Sequence, residues 1–448
     1  MNSRIIQTVP EKGIYWQEET KEVKFEGDCM HSVELYPDLQ EQTMRGFGGA
    51  FTEASAHTWS GLTNEGKEEV IKAYFGEEGL CYNLGRIHVH SCDFALGNYT
   101  YVKEGDETLA SFSIAHDEAE ILPMLRKAIE EAAKRNEQMQ FLTSPWSPPA
   151  YMKTNGDMNH GGRLKKECYE LWAKYYVKFL LAYKEAGVDI RFLTIQNEQE
   201  ATQTWDSCEY NPWEEAEFIR DYLSKELKAA GLDYIEILVW DHNKEGMYRR
   251  TKEALVAIGQ DKDLIGGVAV HWYTGDHFDA IRAVRKAFPD KAVFFTEGCV
   301  EFSRFSPSDE VHMAEMYAHD MIGNFGAGVE AFFDWNLLLD EKGGPNHVGN
   351  FCAAPMMLEG DKATKRLSYY YIGQISRYVR PGARMMLTSC YCKDLEVVGF
   401  VNPDGEKVVV LLNPTDKELP AAIRHNEGGQ GVYHVLAPHS IATVCFAD

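Results

Sequence analysis

Basic residues are scarce in this chain: 45 Lys and Arg face 69 Asp and Glu, a formal charge of −24 over 448 residues. That balance repels phosphate backbones and anionic lipid surfaces, so neither nucleic acid nor stable membrane association is expected. No apolar run approaches the roughly 20 residues that a membrane-spanning helix needs. The opening MNSRIIQTVPEKGIYW lacks a positively charged start followed by an apolar core, so no secretory signal is expected. Ten cysteines in so long a chain argue against a disulfide framework and for reduced thiols, with the cytoplasm as the expected location. The Cys390-Tyr-Cys392 pair lacks CxxC spacing and reads as buried free thiols in a β-like run. Low-complexity tracts are absent. What is there, 44% hydrophobic and 25% charged, is ordinary globular material, long enough for one large domain and a smaller one.

Eight short β-branched or apolar runs follow one another, each trailed by a plausible helix: 42–49, 82–90, 138–146, 190–198, 235–243, 265–273, 292–298 and 329–336. Alternating β/α units in that number predict a closed (β/α)8 barrel over about residues 46–377. The helices show apolar positions at three- and four-residue spacing, as over 117–135 and 168–187, the latter stopped by Gly187. After residue 378 the rhythm changes to strand and turn, with Asn402-Pro403-Asp404-Gly405 between LEVVGFV and KVVVLLN. This predicts a small antiparallel β-domain over 378–448. The strand-like run 12–27 has no helix to pair with and is expected to join it, so that 1–45 and 378–448 form one β-sandwich.

In a barrel the active site is built at the C-terminal ends of the strands. Here those ends are polar or aromatic: His90, Trp146, Asn197-Glu198, Asp241-His242-Asn243, His271-Trp272-Tyr273, Glu297 and Asp334-Trp335-Asn336. Two carry a glutamate directly. Paired carboxylates facing one cavity among Trp and Tyr suit glycoside hydrolysis, one protonating the leaving oxygen while the other meets the oxocarbenium-like centre. Direct attack by the second carboxylate requires the two carboxyls to be about 5–5.5 Å apart. Alternation along 190–198 places Thr194, Gln196 and Glu198 on one face and Asn197 on the other. For Asn197 and Glu198 both to reach a substrate, the strand end must bulge or bend.

The runs LTIQNEQE, VFFTEG, GFGGAFTEASA, RIHVHSCDF and TSPWSPPAYMKTNG together resemble glycoside hydrolase family 30, the family of lysosomal glucosylceramidase. The resemblance covers nearly the whole chain, including the flanking β-sandwich. It implies Glu198 as acid/base and Glu297 as nucleophile, with Asn197 on the sugar 2-hydroxyl and Tyr273 orienting the nucleophile. Asp93, Trp146 and Trp335 would bind the sugar, Arg86 would lie beneath the carboxylates, and Asn350 matches a further sugar-contacting asparagine. The stretch LLLDEKGGPNHV departs from the more aromatic and basic lysosomal pattern.

Other readings compete. Glu200 shares a strand face with Glu198 but should be past the strand and solvated. His88, His90 and Cys92 alternate as zinc ligands could, yet three ligands on one strand face seldom converge; inward hydrogen-bonding histidines are expected, and no metal. GFGGAF lacks the residues of a phosphate-binding loop and reads as close backbone packing. A metal-dependent barrel hydrolase using His88, His90, His271 and Asp93, or a carbohydrate-binding protein without turnover, are the alternatives. The favoured expectation is a retaining β-glycosidase that needs no cofactor and acts on small β-glucosides, with β-1,6-glucan, β-xyloside and β-fucoside as further candidate substrates.

Overall fold

The computed structural model describes residues 2–25, 31–424 and 430–446. The last two positions of the run 12–27, and parts of the expected segments 1–45 and 378–448, lie outside the described residues.

Eight parallel strands close into a barrel: Gly46–Ala50, Leu84–Val89, Gln140–Pro145, Ile190–Thr194, Glu236–Asn243, Gly267–His271, Ala292–Glu297 and Ala331–Asp334, called here strands one to eight. Leu84, Leu142, Phe192, Leu238, Phe294 and Phe333 fill its floor as a separate apolar cluster. Barrel closure leaves no free edge, and the inward side chains of the floor carry no polar atoms to satisfy. The glycines of strand one permit the close backbone approach expected of GFGGAF: a Cβ on Gly48 would stand 2.3 Å from the Leu84 carbonyl oxygen. The expected first run, 42–49, is divided. Its first two residues end a long strand, Ser32–Thr43, that belongs to the sandwich, and only Gly46 onward enters the barrel.

The helices follow the apolar spacing, with one break. The pattern over 117–135 is two helices, Ala115–Ala119 and Ile121–Ala133. Pro123 explains the interruption, because it has no N–H to donate and its ring crowds the carbonyl four residues back, at Ala119.

The flanking sheet has ten strands, in the order 14–22, 2–9, 440–446, 407–413, 396–401, 384–390, 32–43, 419–424, 430–436 and 24–25. The N-terminal run therefore joins the C-terminal strands, as expected, together with two more N-terminal strands. Pairing is antiparallel except between 32–43 and 419–424. Period-two alternation explains how the sheet serves two cores. Val409 and Leu411 face the sandwich interior beside Ile5, Val33, Val444 and Phe446. Val408, Val410 and Leu412 join the barrel's main core with Ile372 and Ile375 of the helix Leu367–Ser376. Cys390 and Cys392 are free but half-buried, not buried as expected. Among the described residues no helix is long and apolar enough to cross a membrane.

Candidate active site

Of the seven polar strand ends, all but that at His90 contribute a residue to one cavity at the C-terminal mouth. Asp93, Trp146, Asn197, Glu198, Tyr273, Glu297, Trp335 and Asn350 all line it; Arg86 lies directly below.

Local backbone irregularities aim these side chains. Regular pairing of strand four ends at Thr194. Glu198 then adopts φ 51, while the Asn197 N–H donates to the Pro145 carbonyl (2.8 Å) and the Glu198 N–H to that of Asp241 (2.9 Å). Gln196 turns away and donates to the Trp146 carbonyl at 2.6 Å. This is the bend that strict alternation required. Strands five and seven each carry an extra residue opposite strand six. Ala269 pairs with Trp240 and Val270 with His242, leaving Asp241 as the bulge; Val270 pairs with Phe295 and His271 with Glu297, leaving Thr296. The first bulge turns Asp241, and the second Glu297, into the barrel, where alternation from Leu238 and Phe294 would point each at the helices. His90, Glu198, Asp241 and Asn336, all non-glycine, sit at positive φ near this rim. Such conformations cost about 1–3 kcal/mol each and persist where surrounding contacts over-determine them.

At the bottom of the cavity Arg86 is fully buried. It donates to Glu297 Oε2 (2.6 Å), Asp241 Oδ2 (3.0 Å) and Asn197 Oδ1 (2.9 Å). Its guanidinium lies 4.9 Å from the Trp146 ring and 5.4 Å from that of Trp335, and these two indoles stack with centroids 5.2 Å apart. One cation thus fixes the lower carboxylate, the amide and the aromatic wall together. Tyr273 donates its hydroxyl to Glu297 Oε1 at 3.0 Å. Asp241, not among the expected site residues, accepts from Ser144 (2.9 Å), Thr194 (2.6 Å), Thr296 (2.7 Å) and His271 Nε2 (3.1 Å) besides Arg86.

His271 joins the two glutamates. Its Nδ1 is 3.3 Å from Glu198 Oε1 and 4.0 Å from Glu297 Oε1. His242 Nδ1 stands 3.6 Å from the same Glu198 oxygen, and Gln203 donates to Glu198 Oε2 at 3.4 Å. Burial disfavours an imidazolium at His271, yet Glu297, Asp241 and Glu198 around it raise its pKa to about 9. Burial pushes both glutamates up. At Glu297 it prevails, helped by the charge of Glu198, against His271 and Arg86. At Glu198 the His271 hydrogen bond and the charges of His242 and His271 outweigh it, holding the carboxyl below its usual range. Asp241 is also held well down: burial opposes ionisation, but Arg86 and His271 dominate. Asp93 is the reverse case, pushed well up by burial and by the nearby charges of Glu297 and Glu198. Its Oδ2 takes a hydrogen bond from Asn350 (3.4 Å), while its buried Oδ1 has no protein partner.

The remaining candidates separate cleanly. Glu200 is 40% exposed and pairs with Arg249 (3.0 Å) and Arg250 (3.3 Å), so it takes no part in the cavity. His88 is engaged by the Glu53 N–H (3.0 Å) and the His90 carbonyl; His90 by Tyr175 (2.8 Å) and the Ser147 carbonyl (2.5 Å). Both are the inward hydrogen-bonding histidines expected, and they do not converge with Cys92 on an ion site. In LLLDEKGGPNHV, Asn346 Oδ1 accepts from the N–H of Asn350 (3.2 Å), which fixes the backbone from which Asn350 reaches Asp93. Gln203, Trp205, His242, Asn243, Cys299 and Glu301 also line the cavity, outside the expected set.

Comparison with known proteins agrees with this geometry. The glycosyl hydrolase family 30 TIM-barrel domain matches residues 44–379, and that family's beta sandwich domain matches 382–444. The chain belongs to glycoside hydrolase family 30. As a family 30 protein it is an O-glycosyl hydrolase. It is 30% identical to the mouse lysosomal acid glucosylceramidase over 409 residues, 87% of this chain and 78% of that one. It is 26% identical to the endo-1,6-beta-D-glucanase neg1 of Aspergillus fumigatus over 419 residues, 87% and 82% of the two chains. The structure of SrfJ from Salmonella typhimurium superposes over all of both chains with a TM-score of 0.94 at 39% identity.

Proposed function

We propose that this family 30 hydrolase is a retaining β-glycosidase in which Glu297 is the nucleophile and Glu198 the acid/base. The observation that carries this reading is the placement of both glutamates against one His271 nitrogen at the floor of a Trp- and amide-lined cavity. Glu297, oriented through one oxygen by Arg86 and the other by Tyr273, attacks the anomeric carbon while Glu198 gives a proton to the leaving oxygen. In the free site His271, 3.3 Å from Glu198 Oε1, favours the ionised form of that carboxyl, while Glu297 is pushed up. That is the reverse of what the first step needs, so the division of roles rests on the positions of the two glutamates and not on these shifts. In the second step Glu198 removes a proton from the water that releases the sugar. Asn197, fixed by Arg86, is placed for the 2-hydroxyl; Asp93 and Asn350 take hydroxyls on the far side; Trp146 and Trp335 offer an apolar wall.

A β-linked glucose is the preferred glycone and exo-cleavage of small glucosides the preferred mode. The glucosylceramidase relatives support glucose, and the strong negative charge disfavours anionic membrane surfaces as the place of action. The endo-1,6-beta-D-glucanase relative makes β-1,6-glucan the second candidate. A cytoplasmic site of action is supported by the free thiols among the described residues. Turnover of a panel of aryl β-glycosides against gentio-oligosaccharides tests this. Hydrolysis of aryl β-glucoside with retained configuration is expected; hydrolysis of the oligomers alone would favour the glucanase reading, and no turnover of any β-glycoside would end it.

A further inference from the structure

We propose that Glu198, His242 and His271 form a site for a borderline divalent cation, zinc being the best match, and that the bound ion reversibly blocks the catalytic cavity. This is not the HVHSC spacing, whose histidines are committed to other partners. One ligand atom from each of Glu198, His242 and His271 lies within 4.8 Å of the other two. Glu198 Oε1 is 3.3 Å from His271 Nδ1 and 3.6 Å from His242 Nδ1. Tetrahedral zinc with bonds of about 2.0–2.1 Å needs ligand atoms about 3.3–3.4 Å apart, so small side-chain rotations close the set.

Two further features point to a ligand. His271 Nε2 is held by Asp241 Oδ1 at 3.1 Å. A carboxylate on the far nitrogen fixes an imidazole as the Nε2–H form and turns the other nitrogen's lone pair to a metal, an arrangement common behind metal-binding histidines. His242 Nδ1 is buried and has no hydrogen-bond partner, although it faces a polar cavity. A buried polar atom of this kind calls for a partner, which a cation would supply. Two imidazoles and one carboxylate, with the fourth direction open to the cavity, are a ligand set that suits zinc; oxygen-seeking magnesium and calcium are poorly served by imidazole. Glu297 Oε1, 4.0 Å from His271 Nδ1, lies near enough to neutralise the second charge. Binding displaces the proton from His271 Nδ1. It also occupies the Glu198 oxygen, so ion and substrate exclude each other.

The kinetic consequence rests on the function proposed above, whereas binding itself does not; the test therefore has two arms. In calorimetry, chelator-stripped full-length protein should bind one Zn2+ with proton release, and Mg2+ should give no heat. Co2+ should give the visible absorption of a tetrahedral site. His242→Gln should weaken Zn2+ binding by about 10–100-fold. If that variant folds poorly, Glu198→Gln, which keeps the side chain's shape, should show the same loss. In kinetics, Zn2+ should inhibit competitively and chelator should restore activity. The proposal is overturned if Zn2+ gives no heat at millimolar concentration, if both variants bind it as the native protein does, or if Cys299→Ser rather than His242→Gln abolishes binding. One-site binding dependent on His242 but without inhibition would uphold the site and refute the cavity's catalytic role.

Discussion

Replacing Asp241 with asparagine should damage both fold and turnover, because no orientation of the new amide satisfies its surroundings. Oδ1 accepts from Thr296 and His271; Oδ2 accepts from Ser144, Thr194 and Arg86. Hydroxyls can rotate to receive a hydrogen bond, but a guanidinium cannot, and His271 would have to give up its Nε2 proton. One orientation therefore sets the amide NH2 against Arg86 and the other against His271. Either way Arg86, with a fully buried side chain, loses one of its two carboxylate partners. Breaking a buried ion pair by removing one member costs about 3–5 kcal/mol. With an unfolding entropy of about 2 cal/mol/K per residue over the roughly 330 residues of the barrel, that lowers Tm by about 4–7 °C. Turnover should fall by about 10²-fold or more, as when a preorganised electrostatic contact is lost at a reacting centre. Differential scanning calorimetry and steady-state kinetics on an aryl β-glucoside read the two effects. A variant with native Tm and kcat within twofold of native would refute the view that Asp241 anchors the cluster.

Tyr273→Phe removes only the hydroxyl at 3.0 Å from Glu297, so kcat should fall about 10–100-fold, the value of one hydrogen bond to a charged group, with little change in Tm. An unchanged kcat would remove Tyr273 from the mechanism. Exhaustive chelation should leave activity intact, since the proposed chemistry uses carboxylates alone; loss on chelation with recovery on zinc would reinstate the metal-dependent alternative. Two histidines, His271 and His319, are raised to about 9, the latter by Glu396 and Asp276 against burial. A raised imidazole stabilises the fold fully below its unfolded pKa near 6.5 and loses that contribution as pH climbs through its folded value. Tm should therefore fall between about pH 6.5 and 9, and His319→Gln should flatten part of that slope; a Tm that rises over this window would contradict it.

The barrel was legible because its strands are short apolar runs with polar ends, and eight such ends in sequence leave little choice of architecture. The two glutamates and the Trp, Asn and Tyr around them were legible from their place at those ends and from their resemblance to the family. Asp241 and His271 were visible as strand-end residues, but their role was not. Asp241's partners come from strands two, three, four, six and seven, and no spacing along one segment records that meeting. The bulges on strands five and seven hide the cluster further, because period-two reading from Leu238 and Phe294 assigns Asp241 and Glu297 to the wrong face. Gln203 and Trp205 come from the irregular stretch after Glu198, where neither period applies. The break at Glu120 needed Pro123 to be weighed above an otherwise unbroken apolar pattern.

The division of labour between the two glutamates is most directly tested by rescue with azide. Glu198→Ala removes proton transfer, worth about 10²–10⁴-fold, which a dinitrophenolate leaving group does not need. Glycosylation by a dinitrophenyl β-glycoside should survive, the glycosyl-enzyme should accumulate, and azide should restore turnover and yield the β-glycosyl azide. Glu297→Ala removes the attacking atom, so it should fail with every leaving group and give no β-azide. Equal inactivity of Glu198→Ala on the activated substrate without rescue, or azide rescue of Glu297→Ala to the same β product, would contradict the assignment.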